Sequence, residues 1–494
     1  MSESSWQEND SYNELEPLST LLADLTPVSD TPENDLTSLG SVDRRRQKAA
    51  LVLAAIWAST IALHLVAWGY WLMFGLTAIM GVHAIRILLT RSLPEPEALA
   101  VADPESVPFV SLLVAAKNEE AVIGRLVNLL CSLDYPASRY ELWVIDDSST
   151  DGTPQVLQQL AQQYSHLRVF NRPPGSTGGK SGALNQVLPL LQGEIIAVFD
   201  ADAQVTPDLL RRVLPLFDRP QVGAVQVRKA IANASDNFWT YGQVAEMAMD
   251  SYFQQQRIAI GGIGELRGNG QFLRRTALER CGGWNEQTIT DDLDLTIRLH
   301  LDQWEIDFLA FPFVEEEGVT RAISLWHQRN RWAEGGYQRY LDYWKPILRN
   351  RMGTQKTIDL FMFWITQYLL PTAAIPDFLM AILRNRPLLF TPVASLTVSL
   401  SLLGTILGLQ QIRRKQKQLV FSDYATDGQK TASTGIHELS VLPPLRLLIQ
   451  AILGTLYMLH WFPVVASTTL RMSIRPKRLK WVKTVHHGNA DSGT

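Results

Sequence analysis

The sequence has little cysteine, little excess of either charge and no basic stripe, and each scarcity excludes a class of protein. Only two cysteines, Cys131 and Cys281, occur among 494 residues, far apart and without metal-ligand spacing. A disulfide framework or a cysteine-bound zinc is therefore not expected, and a reducing compartment is favoured. The net charge of −4, from 45 Lys and Arg against 49 Asp and Glu, argues against nucleic acid as a partner.

Long apolar runs near both ends of the chain predict membrane-spanning helices. Residues 49–90 contain Arg86 as their only formally charged side chain. A spanning helix needs about 20 apolar residues, so this stretch predicts two helices that turn near Gly69. About three further apolar segments predict a second transmembrane region over residues 357–467; they lie at 360–383, 387–409 and 445–467.

The charges that flank these runs predict the orientation of the chain in the membrane. Basic residues precede the first helix and close the second; they are Arg44, Arg45, Arg46, Lys48, Arg86 and Arg91. Positive charge at both outer ends of a helical hairpin predicts that both ends, and the region that follows, are cytosolic.

The two tails are predicted to be cytosolic as well. Residues 1–43 are polar and acidic and predict a disordered tail, and residues 468–494 form a basic tail. The first apolar run begins far from the N-terminus, so a cleavable signal peptide is not expected. Three C-terminal spans that start in the cytosol would end outside. Either one run is re-entrant or interfacial, or the last forms a short hairpin.

Between the apolar ends, residues 107–340 read as an α/β domain. Buried strands are predicted at 109–116, 141–145 and 194–199, with helical patterns between them. This alternation predicts an open sheet with right-handed crossovers. Ligands bind at the carboxyl ends of the strands in such sheets, and the second and third strands run directly into aspartates.

Those aspartates suggest a nucleotide site with a metal ion. An aspartate that follows a strand, such as Asp146 or its neighbour Asp147, can accept the imide N–H of uracil. Asp200 and Asp202 are separated by one residue, and two such carboxylates can bind Mg²⁺ or Mn²⁺ that bridges a diphosphate. The same residues are also common in turns, helix N-caps and solvated loops, so neither motif is decisive alone.

Three further motifs complete the pattern. Lys180 lies in a glycine-rich loop that opens a helix, where backbone N–H groups and its ammonium can hold phosphate; the loop lacks P-loop spacing. Asp292 begins an amphipathic helix and can act as a general base, and its place at the helix N-terminus predicts a lowered pKa. In the segment that starts at Gln328, Arg331 can meet a diphosphate while Trp332 stacks on a sugar or anchors the membrane interface.

The order of these motifs resembles that of the inverting family 2 glycosyltransferases, which include cellulose, chitin and hyaluronan synthases. The resemblance spans roughly residues 107–335. It implies a GT-A-type open mixed sheet in a cytosolic α/β catalytic domain, flanked by transmembrane α-helices at both ends, with an interfacial helix near residues 326–345. It also implies a multi-pass protein of a bacterial or cyanobacterial plasma or thylakoid membrane.

The resemblance implies a role for each matching residue. Asn118, Glu119, Asp146, Asp147, Lys180 and Asp200 would bind the UDP-sugar, Asp202 the metal, and Asp292 would be the base. Gly268, Gly270, Trp284, Gln328, Arg331 and Trp332 would form the acceptor side and the diphosphate clamp. The sequence departs from the family at Lys117, where an aromatic residue usually precedes Asn-Glu, so a uracil-stacking ring is absent from this position.

Within the family, the chain is most similar to members that transfer glucose from UDP-glucose to the sn-3 hydroxyl of 1,2-diacylglycerol, with Mg²⁺. A lipid acceptor needs only a lateral opening at the membrane, whereas five candidate spans could barely build a pore for polymer secretion. The alternative is a processive synthase of poly-N-acetylglucosamine or a β-glucan, which shares the Gln328–Trp332 motif. A catalytically dead scaffold is disfavoured because every carboxylate of the pattern is present.

Overall fold

The computed structural model describes residues 36–101, 103–426 and 444–475. Its helices are α1 (Leu36–Leu65), α2 (Gly69–Leu89), α3 (Ile123–Cys131), α4 (Thr153–Gln163), α5 (Gly179–Val187), α6 (Leu209–Val213), α7 (Phe238–Ala259), α8 (Arg275–Arg280), α9 (Asp291–Leu301), α10 (Ala322–Leu348), α11 (Thr354–Trp364), α12 (Leu370–Arg384), α13 (Thr391–Thr426), α14 (Pro444–Met458) and α15 (Trp461–Ile474). A π-helical turn at Ile365–Leu369 joins α11 to α12.

The central domain is built on one mixed sheet of seven strands. The strands are β1 (Val110–Ala116), β2 (Tyr140–Asp146), β3 (Leu167–Asn171), β4 (Ile195–Phe199), β5 (Val222–Ile231), β6 (Gln271–Arg274) and β7 (Glu305–Glu316). Their order is β3-β2-β1-β4-β6-β5-β7. The three strands expected from sequence are confirmed as β1, β2 and β4, and the expected mixed α/β sheet is confirmed as well.

Both faces of the sheet are covered, which explains why its central strands are apolar throughout. Leu112 and Val114 of β1 pack into one core, whereas Leu113 between them packs into the core on the opposite face. Alternate side chains of a strand point to opposite faces, so a strand buried on both sides reads as a continuous apolar run.

Strand direction decides which loops meet at the ligand edge. β6 is antiparallel to both of its neighbours, β4 and β5, while β5 and β7 are parallel. The carboxyl ends of β1, β2, β4, β5 and β7 therefore lie at one edge. Because β6 runs the opposite way, the loop that enters it, with Gly268 and Gly270, arrives at this same edge.

Five helical segments of the described chain are long and apolar enough to cross a membrane. They are Arg44–Leu65, Gly69–Leu89, Thr354–Arg384, Thr391–Lys417 and Leu445–Ile474. Large apolar side chains project outward from them, for example Trp71 and Leu89 of α2 and Leu383 of α12. Such contiguous apolar surface is suited to a lipid environment.

The helix bounds correct several sequence expectations. α1 begins at Leu36, so residues 36–43 of the tail expected to be disordered are helical, and the hairpin turns at residues 66–68, before Gly69. The last apolar run is broken into α14, of 15 residues, and α15, of 14 residues. At 1.5 Å per residue each helix alone is about 22 Å long, less than the ~30 Å of a bilayer core, so the segment Leu445–Ile474 is long enough to cross only with both helices together. Residues 1–35 and 476–494 of the expected tails lie outside the described residues.

Candidate active site

The carboxyl-end edge of the sheet opens into a cavity of about 850 Å³. One part is lined by carboxylates and basic side chains of the α/β domain. The other part lies between helices of the candidate membrane spans and is lined by side chains such as Ile87, Met362, Phe363 and Leu400. Charged and membrane-type walls therefore belong to one continuous space.

The loops after β1 and β2 are bound to one another at this edge. Asn118 donates its backbone N–H to Ser149 Oγ at 2.8 Å, and its side-chain oxygen accepts the Thr150 N–H at 2.7 Å. Glu119 lines the cavity and is held through its N–H, which donates to Thr153 Oγ1 at 2.8 Å. Asn118 thus joins the two loops rather than lining the cavity itself.

The two aspartates after β2 are placed differently. Asp146 is buried and accepts the Ser149 N–H at 3.1 Å, which stabilises its own turn. Asp147 lines the cavity, pairs with Arg172 and lies 3.3 Å from the Nζ of Lys117. Lys117, the residue that departs from the family pattern, therefore brings a cation to the part of the cavity formed by the loops after β1 and β2.

Lys180 and the two aspartates after β4 form the centre of the charged part. Lys180 Nζ lies 2.5 Å from Asp200 Oδ1, and Asp202 Oδ2 accepts the Glu317 N–H at 3.1 Å. Burial alone would lower the pKa of Lys180, but Asp200 and Asp291 hold it above its usual value. Lys180 is thus a fixed positive charge among carboxylates.

These donors fit a small divalent cation that takes part of its coordination from substrate. In the part of the chain that the structure describes, no three Asp, Glu, His or Cys side chains form a self-sufficient metal cluster. Asp200 and Asp202 both line the cavity and offer hard oxygen donors. Mg²⁺ typically binds one or two carboxylates together with substrate phosphates and waters, and this donor set matches that mode.

The three aspartates at the start of α9 have distinct surroundings. Asp294 is buried and fully engaged, with Arg298 at 2.6 Å, Tyr343 at 2.8 Å and Asn285 at 3.0 Å. Asp291 and Asp292 both line the cavity. Asp294 is thereby committed to structure, which leaves its two neighbours available for chemistry.

The direction of the pKa shift expected for Asp292 is wrong. Burial, followed by the negative charge of Asp291, raises the pKa of Asp292 to about 6, although the Leu293 N–H, Lys229 and Lys180 partly offset this. The helix N-terminus acts on Asp292 through the Leu293 N–H, which donates a hydrogen bond to Asp292 Oδ1 at 2.8 Å. This bond lowers the pKa of Asp292 by less than burial raises it. A carboxylate with a pKa near 6 is well matched to general-base catalysis near neutral pH.

The glycines before β6 differ in their relation to the cavity. Gly268 has φ +83°, and a Cβ built on it would lie 3.4 Å from Asp292 Oδ2. Gly270, with φ +70°, directly precedes β6, donates its N–H to Val198 O at 3.0 Å and does not line the cavity. Trp284 also lies away from the cavity, 2% exposed in the core, where the Asn185 side chain bonds to both its N–H and its carbonyl. Since Asn185 is on α5, Trp284 fixes the helix that carries Lys180.

The Gln328 segment lies on the first half of α10 and faces the cavity. Gln328, Arg331 and Trp332 all line it. Burial lowers the pKa of Arg331, and the nearby carboxylates Asp200 and Asp292 partly offset that shift. The structure therefore brings the expected clamp residues into one cavity with Asp200, Asp202 and Asp292.

Several residues that line the cavity are not predicted from the sequence. Lys229 lies two residues before the end of β5, and Glu316 is the last residue of β7. They form an ion pair at 3.0 Å, and the ring centre of Trp332 is 5.4 Å from Lys229 Nζ. A charged residue at or near the end of a strand could have identified both, as it identified the aspartates that follow β2 and β4. Strands β5 and β7 are not predicted from the sequence, so these two residues are not predicted either.

Glu246 on α7 is another residue that no sequence motif predicts. It accepts hydrogen bonds from Arg329 at 2.6 Å, Tyr457 at 3.1 Å and Trp461 at 2.9 Å. The Arg329 guanidinium lies 4.0 Å from the centre of the Trp332 ring. Glu246 therefore connects α7, α10, α14 and α15 at the point where the clamp meets the membrane helices.

The family model described as "Glycosyl transferase family 2" matches residues 111–282, which lie in the mixed-sheet domain and extend from β1 through β6. The chain is 58% identical over 493 residues to the beta-monoglucosyldiacylglycerol synthase of Nostoc sp., with 99% of this chain and 100% of that one covered. It is 54% identical over 484 residues to the enzyme of the same name from Synechocystis sp., covering 97% and 96%. The chain belongs to glycosyltransferase family 2, as the sequence resemblance implied.

Among solved structures, a mannosyltransferase from Pyrobaculum calidifontis in complex with GDP-Man and Mn2+ superimposes with a TM-score of 0.49 at 21% identity. The match covers 82% of this chain and 99% of that chain.

Proposed function

We propose that this chain transfers glucose from UDP-glucose to the sn-3 hydroxyl of 1,2-diacylglycerol with inversion, forming β-monoglucosyldiacylglycerol for glycolipid synthesis. The full-length relatives that carry the name of this activity support the proposal. The observation that carries it is the single cavity in which Asp202 and Asp292 share a space with apolar side chains of the candidate membrane spans. A lipid could enter such a space laterally, from between the candidate membrane spans, while its hydroxyl group reaches Asp202 and Asp292.

On the donor side, the positive charges are arranged for a diphosphate. Lys180 and Arg331 both line the cavity close to Asp200. A divalent cation held by Asp202, with Asp200 beside it, would neutralise charge on the leaving nucleotide. Asp147 and Glu119 lie on the side of the cavity formed by the loops after β1 and β2, where the nucleoside is expected.

On the acceptor side, Asp292 would accept the proton of the lipid hydroxyl as that oxygen attacks the sugar. One displacement with no covalent sugar–enzyme intermediate inverts the anomeric configuration, so an α-linked donor gives a β-glycoside. Trp332 lines the cavity beside the cations of Lys229 and Arg329, where its ring would contact the sugar.

A direct product analysis tests the proposed activity. Purified protein is incubated with labelled UDP-glucose, UDP-galactose or UDP-N-acetylglucosamine and diacylglycerol, and the products are extracted with chloroform. We expect one β-linked glucose per lipid, soluble in the organic phase, and a rate about 10²–10⁴-fold lower with Asp292→Asn. A water-insoluble polymer or a ladder of chain lengths would instead support the processive alternative.

We further propose that the catalytic domain faces the cytosol and that the α1–α2 turn faces the other side. Gln159 on α4 and Ala67 in the turn are both exposed. In a background with Cys131 and Cys281 replaced by alanine, an impermeant thiol reagent added to intact cells should label Ala67→Cys and leave Gln159→Cys unlabelled. Labelling of Gln159→Cys without permeabilisation would refute this orientation.

A further inference from the structure

Helix α14 has a stripe of large apolar side chains on its outward face. The stripe consists of Leu445, Leu448, Ile449, Ile452 and Leu456, which are between 43% and 66% exposed in the described part of the chain. Their spacings of three and four residues place them on one face of a helix. A contiguous apolar surface of this kind marks a site of interaction with another apolar surface.

The opposite face of α14 packs against α7. A Cβ added to Gly454 would lie 2.4 Å from the Cβ of Ala245, and one added to Gly242 of α7 would lie 2.3 Å from the Tyr457 ring. Leu447, in the first turn of α14, is buried in a cluster with side chains of α7 and α13. The packed face of α14 therefore extends from its first turn to its last.

Helix α7 is itself attached to the catalytic domain at two distant points. Gln243 donates from Nε2 to the carbonyl oxygen of Val319 at 2.8 Å, and Gln254 donates from Nε2 to that of Glu265 at 2.7 Å. Val319 follows β7 and Glu265 precedes β6, so both acceptors belong to loops of the sheet domain. Eleven helical residues separate the two glutamines, which is about 16 Å. Over this distance α7 runs along the domain, and α14 stays beside it.

Helix α15 also remains next to the catalytic domain. At its start, Trp461 Nε1 donates to Glu246 of α7 at 2.9 Å. Further along, Thr468 donates to Asn330 of α10 at 3.0 Å, and Arg471, in the last turn, donates to the same Asn330 side chain. Glu246 is bonded to the residue that precedes Asn330, so the two contact points are neighbours. The chain therefore returns along α10 instead of leaving it to cross a bilayer.

The charges of α14 and α15 fit the surface of a membrane. Residues 444–475 contain three arginines and no lysine, aspartate or glutamate. Two of these arginines, Arg446 and Arg475, lie near the two ends of the segment and are exposed. An apolar helix face accompanied by arginines is typical of helices that lie in the membrane interface, where the cations meet anionic head groups. α14 also packs against α13, a candidate span, so the stripe adjoins surface already suited to lipid.

We propose that α14 and α15 form an interfacial pair, which lies in the leaflet on the side of the catalytic domain and does not cross the bilayer. The stripe on α14 contacts the acyl chains of that leaflet. Thr455, Met458 and Phe462 of the same pair line the cavity, so the pair forms a wall between the cavity and the leaflet. This inference rests on the membrane placement given with the proposed function, and it is independent of the acceptor.

A depth measurement distinguishes an interfacial helix from a crossing one. Leu448→Cys and Leu456→Cys, each in the background that lacks Cys131 and Cys281, are labelled with bimane in the full chain. The protein is placed in liposomes of phosphatidylcholine and phosphatidylglycerol, and lipids with a nitroxide at a shallow or a deep chain position quench the label. The two positions are eight residues apart, about 12 Å along the helix. We expect equal depths, about 5–10 Å into the boundary between head groups and acyl chains.

Trp71→Cys and Ile79→Cys are the matched controls on a helix proposed to cross. Both side chains are exposed on α2, at 75% and 59%, and they are also eight residues apart. Ile79 is the middle residue of α2, so its label should be close to the centre of the bilayer and that of Trp71 much nearer the surface.

The side of the membrane on which α15 ends gives a second, independent measurement. Arg475 directly follows α15 and is exposed. With an impermeant thiol reagent, Arg475→Cys should behave as Gln159→Cys does and differ from Ala67→Cys. A segment that crossed the bilayer would place Arg475 on the side of Ala67. This variant leaves the stripe intact, so it decides alone if a cysteine on α14 prevents folding.

The outcomes separate this inference from the membrane placement on which it rests. A depth difference on α14 as large as that on α2, or labelling of Arg475→Cys together with Ala67→Cys, overturns the interfacial pair. Quenching on α2 without quenching on α14 also overturns it, because something other than lipid then covers the stripe. Absence of quenching on both helices refutes the membrane placement itself.

Discussion

Asp292 should control the acid limb of the pH–rate profile. Burial and the adjacent charge of Asp291 raise its pKa to about 6, so it is mostly ionised at pH 7 and becomes protonated as the pH falls through 6. A protonated carboxyl group cannot take up the proton of the acceptor hydroxyl. We therefore expect kcat/KM to be level above about pH 7, to halve near pH 6 and to fall to about one tenth near pH 5.

Neighbouring charges should move this limb in opposite directions. Asp291→Asn removes a negative charge that raises the pKa of Asp292, so the limb should move to lower pH. Lys229→Gln removes a positive charge that lowers the same pKa, so the limb should move to higher pH. Initial rates of UDP release, measured across this pH range at constant ionic strength, give both shifts.

Asp292→Asn should lose about 10²–10⁴-fold in rate, the usual contribution of a general base, while UDP binding is retained. The two measurements together can refute the assignment. Near-normal activity of Asp292→Asn, or an acid limb near pH 6 that persists in that variant, would mean that another group is titrating. Asp291 would then be the next candidate, because Asp294 is committed to Arg298 and Tyr343.

Two further predictions concern the metal-side carboxylate and the loop facing the base. Asp202→Ala should reduce transfer roughly 10³-fold, because stabilisation of several kcal/mol is lost at the leaving group; Asp208→Ala, on the same loop but outside the cavity wall, should retain activity. Chelator should abolish wild-type transfer and Mg²⁺ or Mn²⁺ should restore it, so full activity in excess chelator would refute metal dependence. Gly268→Ala should lower kcat more than Gly175→Ala, although both have nearly equal positive φ, because only the Gly268 methyl meets Asp292. Equal losses in an assay normalised to folded protein would show that backbone strain alone is responsible.

The sequence predicted those parts of the site whose position follows from local pattern. Asp147, Asp200 and Asp202 follow strands that are apolar on both faces, and such strands end at the ligand edge of an open sheet. The order of the motifs then identified the family. The helix containing Gln328 was also expected, although it extends further in both directions, as α10.

Residues whose role depends on distant packing could not be predicted in this way. Glu246 is near Arg329, Tyr457 and Trp461 only because four helices converge, and nothing in the local sequence records that. The pKa of Asp292 was misjudged for the same reason. The helix N-terminus is visible in the sequence, whereas burial and its opposing effect on the pKa are properties of the folded chain.

The loop that faces Asp292 is tied to the membrane-side helices by a balanced set of buried charges. Glu265, fully buried just before this loop, pairs with Arg339 at 2.7 Å, Arg267 at 2.9 Å and Arg257 at 3.7 Å. Burial alone would raise the pKa of Glu265, but the three guanidinium groups hold it below its usual range. Buried charges are tolerated only when they are paired, so removing Glu265 would leave the buried Arg339 without its carboxylate partner, at a cost of about 3–5 kcal/mol. This pairing keeps the Gly268 loop in a fixed position relative to α7 and α10, and hence beside Asp292, the proposed base.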